Sequence, residues 1–131
     1  MIGVDTNILL RLLVNDDPQQ SEKVRRHLQM VMQAEEIFVP LIVVAETCWV
    51  LGKTYGYGNP EILKSFRVLT EMDKFVFQHA VIVTGFFQLD DVKGDIPDHL
   101  IALINFEAGC RHTVTFDKAA ARAIAGMELL S

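Results

Sequence analysis

Apolar positions along the chain follow two rhythms. Short runs, "MIGVD", "IFVP", "KFVFQ" and "HTVTF", alternate with longer segments in which apolar residues recur every three or four positions. The first rhythm predicts short buried strands and the second amphipathic helices. "MIGVD" is thus a strand, with "TNILLRLLV" a helix or helical turn behind it. Asp17 as a cap and Pro18 at the first helical position open the next helix, and Val24, Leu28, Val31 and Met32 give it one apolar stripe. "IFVP" is a second strand, broken at Pro40, and "VPLIVVAETCWVLG" is long enough for a helix that ends at Gly52 and "YGYGN". Asn59 and Pro60 start another, with Ile62, Leu63, Phe66, Leu69 and Met72 expected on its inner face. "KFVFQ" is a third strand, "HAVIVTGFFQLD" a mostly buried helix, "DVKGD" a loop, and "IPDHLIALINFEAG" a helix stopping near Gly109. "HTVTF" is a fourth strand, "DKAAARAIAG" a closing helix, and "MELL" a candidate fifth strand. Strands separated by helices predict an α/β fold, a parallel sheet of four or five strands covered on both faces. No repeat, low-complexity segment or linker interrupts the pattern, so residues 1–131 are expected to form a single domain.

Composition changes this picture in a few places. With 131 residues, 50% of them hydrophobic, there is chain enough for a real core. No apolar run reaches the length of a membrane span, and the start has no basic region ahead of its apolar stretch, with Asp5 inside it. No signal peptide, and therefore a cytoplasmic protein, is expected. Cys48 and Cys110 do not form a clustered metal motif; both stand in apolar company and are expected to be buried free thiols. The net charge of −5 argues against a generic nucleic-acid coat. It leaves room for a nucleic-acid enzyme whose acids gather in one metal site.

The positions of the acids then decide the chemistry. Asp5 closes the first strand and Asp117 the fourth. Ligands of open parallel sheets bind outside the carboxyl ends of strands, although an Asp there is also a good helix cap. Asp98 lies in the first turn of "PDHLIALI", where the helix dipole favours it, and Asp95 stands three residues earlier. Asp90 and Asp91 suit a solvated loop. Glu46 is harder to explain, because the residues three and four positions away, Ile42, Val43, Trp49 and Val50, offer no opposite charge. A surface face or a long-range salt bridge would account for it; the remaining reading is that its partner is not a side chain at all but a divalent ion that makes its position tolerable. Two unit charges ~4 Å apart repel by about 4 kcal/mol at an effective dielectric of 20. Asp5, Glu46, Asp98 and Asp117 in one pocket would therefore take up protons or demand a cation. Oxygen-only ligation suits Mg²⁺ or Mn²⁺ over Zn²⁺.

The same residues carry a family resemblance. "MIGVDTNILLRLL", "VVAETCWVL", "DIPDHLIALINFEAGC" and "TVTFDKAAAR", in this order across the whole chain, resemble the PIN-domain family, and within it the VapC-type toxins of bacterial toxin–antitoxin pairs. The resemblance implies a three-layer α/β/α fold with strand order 3-2-1-4-5 and Mg²⁺- or Mn²⁺-dependent cleavage of RNA, leaving a 5′-phosphate and a 3′-hydroxyl. It places the family's four acids on Asp5, Glu46, Asp98 and Asp117, with Asp5 and Asp98 the most direct metal ligands. Asn7 matches the polar residue after the first acid, Thr115 the hydroxyl beside the fourth, and Asp95 an extra acid of many relatives. His99 replaces a small residue common after the third acid. A homodimer and inhibition by an antitoxin encoded elsewhere are further implications.

Other residues receive plainer readings. His27, His79, His99 and His112 show no ligand spacing. Trp49 is expected in the core or an interface rather than as a base-stacking platform. Lys23, Arg25 and Arg26 suit a solvated helix face, while Arg11, Lys118 and Arg122 follow the site motifs closely enough to contact RNA phosphates. Two competing functions are a PIN-like scaffold that binds RNA or protein without cutting, and a receiver-type phosphoacceptor domain. The latter expects paired acids after the first strand, where this chain has one.

Overall fold

The computed structural model describes residues 1–130. Triplets of β-branched and aromatic residues form three of the five strands, and the segments between strands coil. In chain order these are β1 (Ile2–Gly3), α1 (Thr6–Leu13), α2 (Pro18–Val31), β2 (Ile37–Val39), α3 (Leu41–Lys53), α4 (Asn59–Thr70), β3 (Phe75–Phe77), α5 (Ala80–Phe86), α6 (Ile96–Glu107), β4 (Thr113–Thr115), α7 (Lys118–Ala123) and β5 (Met127–Leu129). The result is a three-layer α/β/α arrangement with parallel pairing throughout.

The strands make two parallel sheets where one was expected. The first has the order β1-β2-β3, with Ile37 opposite both Ile2 and Phe75, and the second pairs β4 with β5. The half order 3-2-1 is as expected. No ladder joins β1 to β4 among the described residues. The two residues of β1 pair with β2, and β4 pairs with β5 instead.

Ile37, Val39, Phe75 and Phe77 bury the inward positions of the first sheet, and Leu9, Val44, Leu51, Leu63 and Phe66 close over them from the helices. Phe66 and Phe87 stack with ring centroids 4.7 Å apart; burial of each ring contributes about 1.5–3 kcal/mol. A smaller cluster, Ala102, Ala120 and Ile124, holds α7 against α6. Three placements differ from expectation. Met72 lies in the turn after α4 and is exposed, not on that helix's inner face. α5 is one short helix that buries Val83 and Phe86 but leaves Val81 exposed. Cys48 is buried and its thiol is pushed up by desolvation, as expected of an inert core cysteine. Cys110 is exposed, because it follows Gly109 into the turn beyond α6, where apolar neighbours in sequence are not neighbours in space.

Candidate active site

The four acids sit at element starts and on one helix face. Asp5 is the N-cap of α1, its Oδ1 accepting the Ile8 N–H at 3.0 Å. Asp117 caps α7 in the same way, Oδ1 accepting from Ala120 N–H at 3.0 Å, while its own N–H donates to Thr115 Oγ1 at 3.0 Å. Capping and ligation are compatible, since each cap uses one carboxylate oxygen and leaves the other. The Thr115 hydroxyl thus accepts from the backbone of Asp117.

Asp95 is the N-cap residue of α6 but makes no side-chain cap bond, and Asp98 follows in the first turn. Two features set this turn. Gly94 adopts φ +91°, and a Cβ there would stand 3.1 Å from Ala123 Cβ, so only glycine brings the loop this close to α7. Asn59 donates to the carbonyls of both Val92 and Gly94 at 2.8 Å, tying the loop to the start of α4. The Asp98 carboxyl is raised above the ordinary aspartate range, first by partial burial, then by the charges of Asp95 and Asp117, with His99 opposing. Asp95, Asp98 and Asp117 therefore form one electrostatic group at the starts of α6 and α7.

Glu46 does not meet the description that made it conspicuous. It is exposed, on the solvent side of α3, so water removes the cost that a buried ion would carry. Its partner is the hydroxyl of Thr6, which donates to Oε1. Thr6 stands between Asp5 and Asn7, and the sequence reading passed over it; a hydroxyl flanked by two site candidates was the available signal. Glu46 is thereby joined to Asp5 through the first turn of α1, and α3 packs against both α1 and α6. The acids thus stand as two groups on adjoining helices. Among the described residues no three His, Cys, Asp or Glu side chains stand close enough together to hold a metal ion.

The donor set fits a hard divalent cation in an open mode. Every side-chain donor is oxygen, and Asp98 carries a repulsion that a cation would relieve. Mg²⁺ ordinarily takes one or two carboxylates and keeps several waters, so a closed protein cage is not required.

The remaining candidates divide. Asn7 is exposed and shares a groove of about 580 Å³ with Arg11 and Lys23. The Arg11 guanidinium is already engaged, by Asp16 at 2.7 Å and the Tyr55 hydroxyl at 3.0 Å. Arg25 and Arg26 both pair with Glu22, the solvated face expected of them. Lys118 and Arg122 are exposed and make no ion pair among the described residues. The His99 ring meets the Lys93 carbonyl at 2.6 Å and leans on Phe86. Asp90 and Asp91 are exposed loop residues, as expected.

The scaffold is a parallel α/β fold with Asp5, Asp95 and Asp117 at helix starts, Asp98 in a first turn and Glu46 on an adjoining helix. A model of the PIN domain matches residues 2–125, and the chain belongs to the PIN-domain family. PIN domains are generally nucleases, which makes a nucleic-acid hydrolase the class of this protein. No curated protein matches the chain. No helix among the described residues is long and apolar enough to cross a membrane.

Proposed function

We propose that the protein is a Mg²⁺-dependent endoribonuclease, with Mn²⁺ as a possible substitute, and the toxin of a type II toxin–antitoxin pair of the VapC type. The observation that supports the nuclease chemistry is the placement of Asp95 and Asp98 at the start of α6 and Asp117 at the start of α7, near enough that both neighbouring charges add to burial in raising the Asp98 carboxyl. Such grouping disfavours an apo state with every acid ionised and favours a bound cation. Asp5 and Asp98 are the direct ligands in this reading, and Glu46 and Asp117 hold a second ion or bound waters. When bound, the metal neutralises charge on the phosphate oxygens and lowers the pKa of an attacking water.

The chain's own residues prepare that chemistry. The N–H groups of Ile8 and Ala120 each hold one oxygen of the Asp5 and Asp117 carboxylates and leave the other free. Thr6 orients Glu46, and Thr115 holds the backbone at Asp117. Asn7 stands beside Asp5 as a polar support. Lys118 and Arg122, exposed on α7 beside Asp117, suit contacts to RNA phosphates on the flank of the cut. Arg11 fits that role less well, since contact with RNA would compete with Asp16 and Tyr55.

The toxin label is supported by the four sequence blocks, and a homodimer by the large apolar side chains left exposed on α6 and β4, among them Phe106 and Val114. The chemistry is tested by incubating labelled RNA with the purified chain in Mg²⁺ or EDTA, beside Asp5→Ala. Cleavage in Mg²⁺ alone, abolished by the substitution, is expected; cleavage that survives EDTA or Asp5→Ala overturns the reading. Induced expression should arrest growth, with relief by Asp5→Ala or by a small DNA-binding protein encoded immediately upstream. Absence of arrest by an RNA-cutting chain would leave a processing nuclease in place of a toxin.

A further inference from the structure

We propose that the exposed face of α3 carries a nucleobase subsite beside the acidic site, with Trp49 as its stacking platform and Lys53 as its phosphate contact. The proposal rests on the nuclease reading above. Glu46, Trp49 and Lys53 follow one another at spacings of three and four, so they share one face of α3 over about 10 Å of helix axis. Trp49 is 52% exposed, in a segment apolar enough to have placed it in the core. Half of this large aromatic residue is open to water on the same helix face as a site carboxylate, where a base can reach it.

Beside the ring lies a cleft of about 200 Å³, whose lining includes Trp49, Lys53, Tyr57, Asn59, Asp95 and Pro97. Asp95 stands on its wall as the N-cap residue of α6, with Asp98 in the first turn of the same helix, so the platform adjoins the start of α6. The cleft is smaller than the roughly 300–1,000 Å³ of sites for drug-sized ligands, a scale that fits one base or ribose and not a peptide helix. Lys53 is exposed and makes no ion pair among the described residues, so its charge is free to meet a phosphate. Asn59 spends its amide N–H groups on Val92 and Gly94. It therefore cannot donate to a base edge, and recognition here is by stacking, which every base permits. An RNA strand leaving the acidic site along α3 meets a ring and then a cation.

Trp49 is the chain's only tryptophan, so intrinsic fluorescence reports on this position alone. The full chain is titrated with a short single-stranded oligoribonucleotide in EDTA, with anisotropy of a labelled copy followed in parallel. Saturable quenching that tracks the anisotropy is expected. Trp49→Ala should weaken binding about tenfold or more, with Trp49→Phe restoring most of it. Lys53→Ala should weaken binding and flatten its salt dependence. Circular dichroism confirms that each variant is folded. Binding without quenching, no binding, or a Trp49→Phe variant as weak as Trp49→Ala overturns the subsite. So does a spectral shift that follows protein concentration without RNA, which would make this face an interface between copies. Cleavage in Mg²⁺ is scored separately: cutting without quenching removes only the subsite, and quenching without cutting removes only the nuclease reading.

Discussion

Asp117 shows how one side chain serves stability and site together. Its Oδ1 caps α7, a role asparagine fills as well as aspartate. Asp117→Asn should therefore leave urea stability within about 0.5 kcal/mol while sharply lowering RNA cleavage. Asp117→Ala should lower cleavage equally and also lose roughly 1 kcal/mol of stability, the usual worth of a cap. Equal stability losses for the two would mean that the cap contributes nothing. Thr6 gives a second separation: Thr6→Val removes the donor to Glu46 without touching either carboxylate. Loss of a group that orients a metal ligand typically costs about 10–100-fold, and cleavage kinetics at saturating Mg²⁺ should show a fall of that order. Thr47 is the opposite case, a fully buried hydroxyl with no hydrogen-bond partner among the described residues. Valine has nearly its shape, so Thr47→Val should raise stability by roughly 1 kcal/mol, visible as a thermal midpoint higher by about 3–5 °C.

At the scale of elements, the loop before α6 governs the site. Gly94 sits in the left-handed region, against Ala123 of α7, and its carbonyl receives Asn59. A methyl group there is strained twice, by its φ and by the 3.1 Å approach to Ala123. Gly94→Ala should destabilise by about 1–3 kcal/mol and, by shifting the start of α6 relative to α7, reduce cleavage more than stability alone accounts for. A variant that loses stability with undiminished activity at low temperature would detach this loop from the site. Much at this scale was legible beforehand. Asp17 and Pro18 mark the start of α2, Gly109 marks the end of α6, and the apolar stripes of α2 and α4 are buried at Val24, Leu28, Ile62, Leu63, Phe66 and Leu69. These signals are local, written within one or two turns of the backbone they control.

At the scale of the whole molecule, a clamp ties the α1–α2 connection to the end of α3. Asp16 accepts the Tyr55 hydroxyl at 2.7 Å and the Arg11 guanidinium at 2.7 Å, and these bonds, Tyr55 foremost, hold its carboxyl below the ordinary aspartate range. A carboxylate whose pKa is depressed by folding stabilises the native state above its unfolded pKa, near 4, and that contribution fades as pH falls through the folded value. Asp16→Asn should therefore lower the thermal midpoint at neutral pH and make the midpoint less sensitive to acid below about pH 4. A parallel acid limb in parent and variant would exclude the clamp as its source.

What the sequence determined by itself is what short-range physics controls: which segments coil, where they start and stop, that strands alternate with helices in parallel, and which acids stand at element starts. Asp5 and Asp117 could be placed as caps because a cap is read from its own next three residues. Only the tertiary structure decided the rest. It exposed Glu46 and gave it Thr6, forty positions away; it turned Trp49 and Cys110 outward; it divided the strands between two sheets; and it brought Asp117 within electrostatic reach of Asp98. Each of these depends on which helix face meets which neighbour, and a heavily apolar segment such as α3 does not specify that by its own pattern, because several of its faces could have been buried equally well.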